Sequence, residues 1–339
     1  MLVLRFSAAG DILLTSPAID ALHQAWPETR ILYVVKRGFE GLVKYDPAIA
    51  ETIVMEPGES ALGLARRLAA MRPGAILDLQ GKTRTWFLRQ WIRGVPRVTW
   101  TKRPWADNVP VRMGWRPYVA QMPIADRYHA AVEKLVGRKL PAGKLRHFVG
   151  ATESATAEAA MRAAGLDVGK PILGMSPGAN WETKRWPLER YVEIAKRADG
   201  AGMQIVVTGS GSEAALGESI RAAVPRAANL SGKLPLGALG GVISRCAAFV
   251  ANDSGPMHMA RALGVPTLAF FGSTDPKQFL FDGHAVLFAP GLDCAPCHFY
   301  GRKKCPRGHF RCMLDLTSDQ AWSALTPLLS RGRLPLVRA

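Results

Sequence analysis

Both halves of this 339-residue chain alternate short β-rich runs with amphipathic helical stretches. That rhythm specifies parallel strands joined by helical crossovers, and so two α/β units. In the first half the expected strands are residues 2–6, 31–35, 53–55, 75–79 and 97–100, with helical patterns at 17–25 and 61–71. Ser16 reads as a helix N-cap with Pro17 at the first helical position. In the second half the strands are expected at 172–175, 204–208, 249–251, 267–271 and 285–288, separated by helices at 188–198, 213–223 and 257–263. The polar stretch 140–170, with its Pro, Gly and Ala-rich helix, is the natural boundary, giving domains of 1–150 and 151–339. Two doubly wound parallel sheets facing each other would leave a cleft at the carboxyl ends of both.

Composition narrows the function classes. Hydrophobic residues make up 48% of the chain, enough for a full core in each domain. No run approaches the ~18 apolar residues of a membrane span. The opening Met-Leu-Val-Leu-Arg-Phe lacks the features of a secretory signal, so the expected location is the cytosol. The net charge of +17 is uneven: residues 1–150 hold 23 Lys/Arg against 12 Asp/Glu, and 151–339 hold 21 against 15. Such a surplus favours an anionic partner, whether nucleotide, phosphorylated lipid, anionic membrane or nucleic acid; a generally basic proteome is the plainer account.

The second half carries a chain of anion-binding signals. Strand 249–251 runs into Asn252-Asp253-Ser254-Gly255-Pro256-Met257-His258, and the next strand ends in Phe271-Gly272-Ser273-Thr274-Asp275-Pro276. A turn of this kind aims backbone N–H groups and a helix N-terminus at one point, with Asp253 beside it to take a hydroxyl or an ammonium. Ser176-Pro177-Gly178-Ala179 leaves backbone N–H groups open to phosphate oxygens, and the following Lys184 supplies the charge a departing diphosphate requires. Glu213, after Thr208-Gly209-Ser210-Gly211-Ser212, is placed either to hold ribose hydroxyls or merely to sit exposed beside a cap. Lys233 and Leu234 form a reasonable wall for a base.

The first half offers one carboxylate at a strand end. Ser7-Ala8-Ala9-Gly10-Asp11 follows strand 2–6, with Gly10 expected to permit a sharp turn. Asp11 there acts either as a general base or as a helix cap. The loop is neither a GxGxxG nor a P-loop. A basic, aromatic stretch (Trp100, Lys102, Arg103, Trp105, Arg112, Trp115, Arg116, Tyr118), with Lys82, Arg84, Arg89 and Arg93 near in sequence, suits an anionic acceptor or an anionic leaflet. Packed tryptophans among solvated charges are the plainer alternative.

Four of the five cysteines form Cys294-x2-Cys297-x7-Cys305-x6-Cys312. In a reducing compartment this spacing reads as a structural Zn or Fe knuckle before it reads as disulfides, with free thiols as the other reading and His298 or His309 as substitute ligands.

Together these motifs resemble glycosyltransferase family 9, the ADP-heptose:lipopolysaccharide heptosyltransferases. The resemblance rests on Arg5-Phe6-Ser7-Ala8-Ala9-Gly10-Asp11-Ile12-Leu13-Leu14-Thr15-Ser16-Pro17, Asp78-Leu79-Gln80-Gly81, Pro177-Gly178-Ala179 with Lys184-x-Trp186-Pro187, Asn252-Asp253-Ser254-Gly255-x-x-His258, and Phe271-Gly272-x-Thr274-x-Pro276. It implies a GT-B fold, an α/β pair of Rossmann-like domains with the acceptor on 1–150 and the nucleotide sugar on 151–339, and inverting transfer from ADP-heptose without a catalytic cofactor. By position it implies Asp11 as base, Lys184 on the diphosphate, Glu213 on ribose and Leu234 at adenine. Asp253, Ser254, Gly255 and His258 would close around diphosphate and sugar. The acceptor it implies is an anionic lipid core bearing Kdo or heptose, met at the cytoplasmic face of the inner membrane. The cysteine cluster departs from the best-known members and leaves a protein acceptor open. A basic, cysteine-knuckle nucleic-acid binder is a rival of another class; motifs gathered at strand ends argue against it.

Overall fold

The computed structural model describes residues 1–101, 120, 122–279, 281–289 and 291–331. It divides into two compact units: described residues 1–101 and 122–149 in the first, and residue 120 with those from 150 onward in the second.

In the first unit five strands form one parallel sheet: β1 (Leu2–Leu4), β2 (Leu32–Lys36), β3 (Glu51–Met55), β4 (Ile76–Asp78) and β5 (Arg97–Thr99), in the order β3-β2-β1-β4-β5. β1 is buried along its whole length, as a central parallel strand covered on both faces must be. Its Leu2 and Leu4 pack with Val34, Ile53 and Ile76 of neighbouring strands and with Leu64, Leu68 and Leu88 of the covering helices. The chain winds from β1 outward through β2 to β3 and then crosses to β4 on the other side of β1, so a crevice opens beyond the carboxyl ends of β1 and β4.

The second unit holds six parallel strands, β6 (Ile172–Ser176), β7 (Gln204–Val207), β8 (Ala228–Asn229), β9 (Ala248–Asn252), β10 (Thr267–Phe271) and β11 (Ala285–Phe288), in the order β11-β10-β9-β6-β7-β8. The order reverses between β6 and β9, so Ser176 and Asn252 end side by side at the switch point. One core anchor is Trp186, stacked on Phe270 at 4.0 Å between ring centres and donating its indole N–H to the Leu316 carbonyl at 2.8 Å. It fixes the turn that carries Lys184 to the sheet.

Two sequence expectations change and one strand, β8, was not expected. The helix expected from Pro17 starts at Ser16, and Ser16 does not cap it: its hydroxyl accepts the Arg146 N–H at 2.9 Å. Gly10 lies inside a short helix, Ala9–Leu13, and makes no sharp turn. β8, two residues long, is too short to show a period of two. No helix among the described residues is long and apolar enough to cross a membrane.

Candidate active site

At the β6/β9 switch point the chain collects charge. Lys184 Nζ lies 2.6 Å from Asp253 Oδ2, and the Thr274 hydroxyl donates to the same oxygen at 2.7 Å. His258 Nε2 is 3.9 Å from Asp253 Oδ1. Burial works against the Asp253 carboxylate, yet the Lys184 cation, His258 and the hydrogen bonds from Lys184 and Thr274 together hold its carboxyl below the usual range. Burial, and after it the Arg261 cation, push the His258 imidazole down to about 3. Ser254 stands at the N-cap of helix Gly255–Ala262 with its buried hydroxyl oxygen unpartnered. A hydroxyl and helix N–H groups without partners suit an anionic oxygen.

Asn252 organises this corner. Its Oδ1 accepts the Trp186 N–H at 3.0 Å, while Nδ2 donates to the Pro177 carbonyl at 2.8 Å and reaches that of Gly178 at 3.4 Å. The turn after β6 and the turn bearing Lys184 are thereby tied to the end of β9. Ser176 is buried at the strand end, and the Ala179 carbonyl accepts Arg185 Nε at 2.9 Å.

Glu213 lies beside the same turn. It completes a capping box, with Oε2 accepting the Ser210 N–H at 2.7 Å and the Ser210 hydroxyl at 2.8 Å. The other oxygen lies over Gly178, where any Cβ would overlap the carboxylate. Glu213 is thus both a cap and a wall of the β6 crevice. Gly232, at φ +72°, packs directly on Gly211, bringing the loop that holds Lys233 and half-buried Leu234 against the Glu213 loop. Lys233 itself lines a separate cavity of about 640 Å³ flanked by the Arg221–Glu218 and Arg226–Asp199 pairs.

The cysteine segment abuts the Lys184 turn. Thr183 Oγ1 donates to Ser273 Oγ at 2.9 Å and accepts the Arg302 N–H at 2.8 Å, and the Thr183 N–H donates to the Arg302 carbonyl at 3.2 Å. All four cysteines of the cluster, with His309, line one small cavity. Cys294 Sγ is 3.6 Å from His309 Nε2. Burial, followed by the neighbouring thiols, pushes the Cys312 thiol up to about 12. The structure does not support the expected metal knuckle by itself: among the described residues no three His, Cys, Asp or Glu side chains are already arranged to hold an ion. The cysteine spacing brings the thiols into one region without setting their mutual geometry.

In the first unit the Asp11 side chain is 40% exposed and pairs through Oδ2 with the guanidinium of Arg5, itself only 6% exposed. Arg5 also donates to the Leu79 carbonyl at 2.6 Å. Asp78-Leu79-Gln80-Gly81 underlies this arrangement. Asp78 Oδ1 accepts the N–H groups of Gln80 and Gly81 at 3.0 and 2.8 Å, and Gln80 Oε1 accepts that of Phe6 at 2.9 Å. Asp78 Oδ2 pairs with Arg89 at 3.0 Å. Lys82 lines a cavity of about 510 Å³ with Trp86, Arg89 and Thr99, whereas the Arg84 guanidinium lies against the Met55 sulfur. Arg112 and Arg116 lie outside the described residues.

Sequence reasoning missed Thr183, Arg261 and the structural roles of Arg5, Gln80 and Asn252. The last three stand inside quoted motifs; Thr183 and Arg261 carry no local signal.

Residues 61–297 match glycosyltransferase family 9 (heptosyltransferase). The chain is 26% identical to lipopolysaccharide heptosyltransferase 2 of Salmonella typhimurium, an alignment covering 97% of this chain and 98% of that protein. It is 28% identical to lipopolysaccharide heptosyltransferase 1 of Pseudomonas aeruginosa, covering 94% and 92%. The solved structure of Escherichia coli ADP-heptose lps heptosyltransferase II superposes with a TM-score of 0.77 at 23% identity, covering 98% of this chain and 99% of that one. The two doubly wound units are those of the GT-B fold.

Proposed function

The chain belongs to glycosyltransferase family 9, and from that premise we propose that it transfers a heptose, with inversion, from ADP-heptose to a hydroxyl of the lipopolysaccharide inner core. What carries the reading is the switch-point cluster, in which Lys184, Asp253, His258 and the partnerless Ser254 hydroxyl surround a helix N-terminus. Lys184 and the helix N–H groups take the diphosphate, Ser176, Gly178, Ala179 and Gly255 give it close backbone approach, and Glu213 and Leu234 take the nucleoside.

In this reading Asp11 accepts the acceptor hydroxyl's proton as its oxygen bonds the anomeric carbon. The bond from that carbon to the diphosphate oxygen breaks, and its electron pair leaves with ADP. A single displacement inverts the centre, and charge develops where Lys184 already stands. Arg5 fixes the carboxylate's orientation. Lys82, Trp86 and Arg89 supply a cationic, stacking surface suited to an acidic sugar, with Arg84, Arg112 and Arg116 as further acceptor contacts. The enzyme works peripherally at the cytoplasmic membrane face, supported by the +11 surplus (23 minus 12) of residues 1–150.

The test is mass spectrometry of purified protein with ADP-heptose and truncated lipid core, or with a candidate protein acceptor. A heptose-sized mass gain on the lipid is expected. Gain on protein alone would replace the acceptor, and no gain on either would sink the reading. ADP should raise the unfolding temperature more than UDP or GDP.

A second reading concerns Cys294, Cys297, Cys305 and Cys312, which share one cavity and offer a thiolate donor set suited to zinc or iron. An ion would gather them and stiffen the segment hydrogen-bonded to Thr183. Metal analysis of protein purified without chelator tests it, with C294S/C297S as control; metal-free wild type rejects it.

A further inference from the structure

Helix Gly255–Ala262 places His258 and Arg261 three residues apart, on one face. Arg261 is only 6% exposed, and its Nη1 stands 3.4 Å from His258 Nδ1. The guanidinium carbon lies 4.2 Å over the Phe281 ring, and the buried Nε has no partner. On its other side the His258 ring meets Phe279 edge-on at 4.5 Å. Burying a guanidinium with an unmet donor is costly, so its place beside a histidine calls for a reason.

A guanidinium has only N–H donors. The nitrogen that receives it must therefore present a lone pair, which puts the imidazole proton on the opposite nitrogen. We propose that Arg261 is a positioning residue for His258, locking the neutral tautomer protonated at Nε2 and presenting that N–H on the Asp253 side as a donor to an anionic oxygen of the nucleotide diphosphate. The second half of this statement rests on the donor reading given above; the first half does not.

Charge supports the assignment. Lys184 pairs with Asp253, and Arg261 feels both Asp253 and Asp282. Burial lowers Arg261 to about 10, which leaves it cationic at neutral pH. With His258 neutral, Lys184 and Arg261 are matched by Asp253 and Asp282, so an entering diphosphate meets cationic donors whose charge is already shared. A protonated His258 would set an Nδ1–H against a guanidinium N–H. The Phe279 ring packs edge-on to the imidazole, and the Phe281 ring holds the guanidinium.

The experiment is two-bond 1H–15N correlation on full-length protein with 15N-labelled histidine, assigned by loss of the His258 signals in His258→Gln. Wild type is expected to show Nδ1 unprotonated and Nε2 protonated. Arg261→Met should turn this into an exchanging mixture of tautomers and weaken ADP about ten-fold in calorimetry. Arg261→Lys, which still donates, should restore the tautomer and most of the affinity. An exchanging or Nδ1-protonated ring in wild type overturns the proposal, as does an Arg261→Met protein whose His258 signals are unchanged. Should Arg261→Met fail to fold, the wild-type and Arg261→Lys spectra still decide. A fixed Nε2–H tautomer in protein that binds no nucleoside diphosphate would instead remove the donor reading and leave the positioning role standing.

Discussion

The Lys184 ammonium and the Asp253 carboxylate stand 2.6 Å apart at the switch point of the second sheet, 14% and 4% exposed. An ion pair so enclosed is already neutral, so a ligand must offer negative charge of its own to share the lysine. A diphosphate does, and the nearby Arg261 cation, itself balanced by Asp282, offers further donors. The pair also couples binding to stability, because neither charge is tolerated there alone.

Lys184→Met should therefore leave the buried Asp253 without its ion-pair partner, with Thr274, His258 and the more distant Arg261 cation around it, costing about 3–5 kcal/mol of stability. ADP binding should fall in the same variant. Denaturant unfolding and calorimetry read the two effects. The double variant Lys184→Met/Asp253→Leu should recover stability and not ADP binding.

Asp11→Asn should lower kcat by about 10²–10⁴-fold and leave ADP affinity unchanged. Arg5→Met should lower kcat less and also destabilise, because the Leu79 carbonyl loses its donor. Wild-type turnover in Asp11→Asn would remove Asp11 from the mechanism.

Acid should unfold the protein in two stages. His147, lowered by burial to about 4, and His258, lowered to about 3, are depressed from 6.5, so the unfolded chain binds protons first. Their contribution is complete above pH 6.5 and declines as pH falls through the folded values. The depressed Asp253 carboxyl adds a further loss below its unfolded value of 3.8. Melting temperature against pH should slope downward from 6.5, and His147→Gln should flatten that limb.

Thr183→Val removes the hydroxyl that joins the Lys184 turn to Ser273 and Arg302. A loss of about 1–3 kcal/mol is expected, together with a raised KM for the nucleotide sugar. An unchanged KM would show that the cysteine segment does not steady Lys184.

Gly178→Ala should push Glu213 off its seat, since the new methyl overlaps the carboxylate. Weaker ADP binding and a stability loss of about 1–3 kcal/mol are expected. Gly178→Ala combined with Glu213→Ala should regain the stability and not the binding.

Much of this was legible beforehand. Strands such as β9 and β10 are short apolar runs closed by Asn, Asp or Gly, and that pattern survives any context. Asp253 stands just past such a run and Asp11 a few residues beyond one, so their places near strand ends followed from local chemistry, whereas Lys184 reaches the site on a turn eight residues after β6. The cysteine spacing was equally plain, yet the described thiols share a cavity without forming a metal site. Spacing limits reach; it does not aim side chains.

The amino-acid order alone determined the two parallel α/β units, their turns and the residues offered at the crevices, because periodicity, glycine and proline act within a few neighbours. Tertiary structure decided what those residues do to one another. Only folding set Thr183 against Arg302, 119 positions away, and Lys184 against Asp253, and only folding buried the helix face that Arg261 shares with His258. Partnership and charge in a low-dielectric interior depend on which side chains the packed sheet brings within a few ångströms, and no local pattern encodes that.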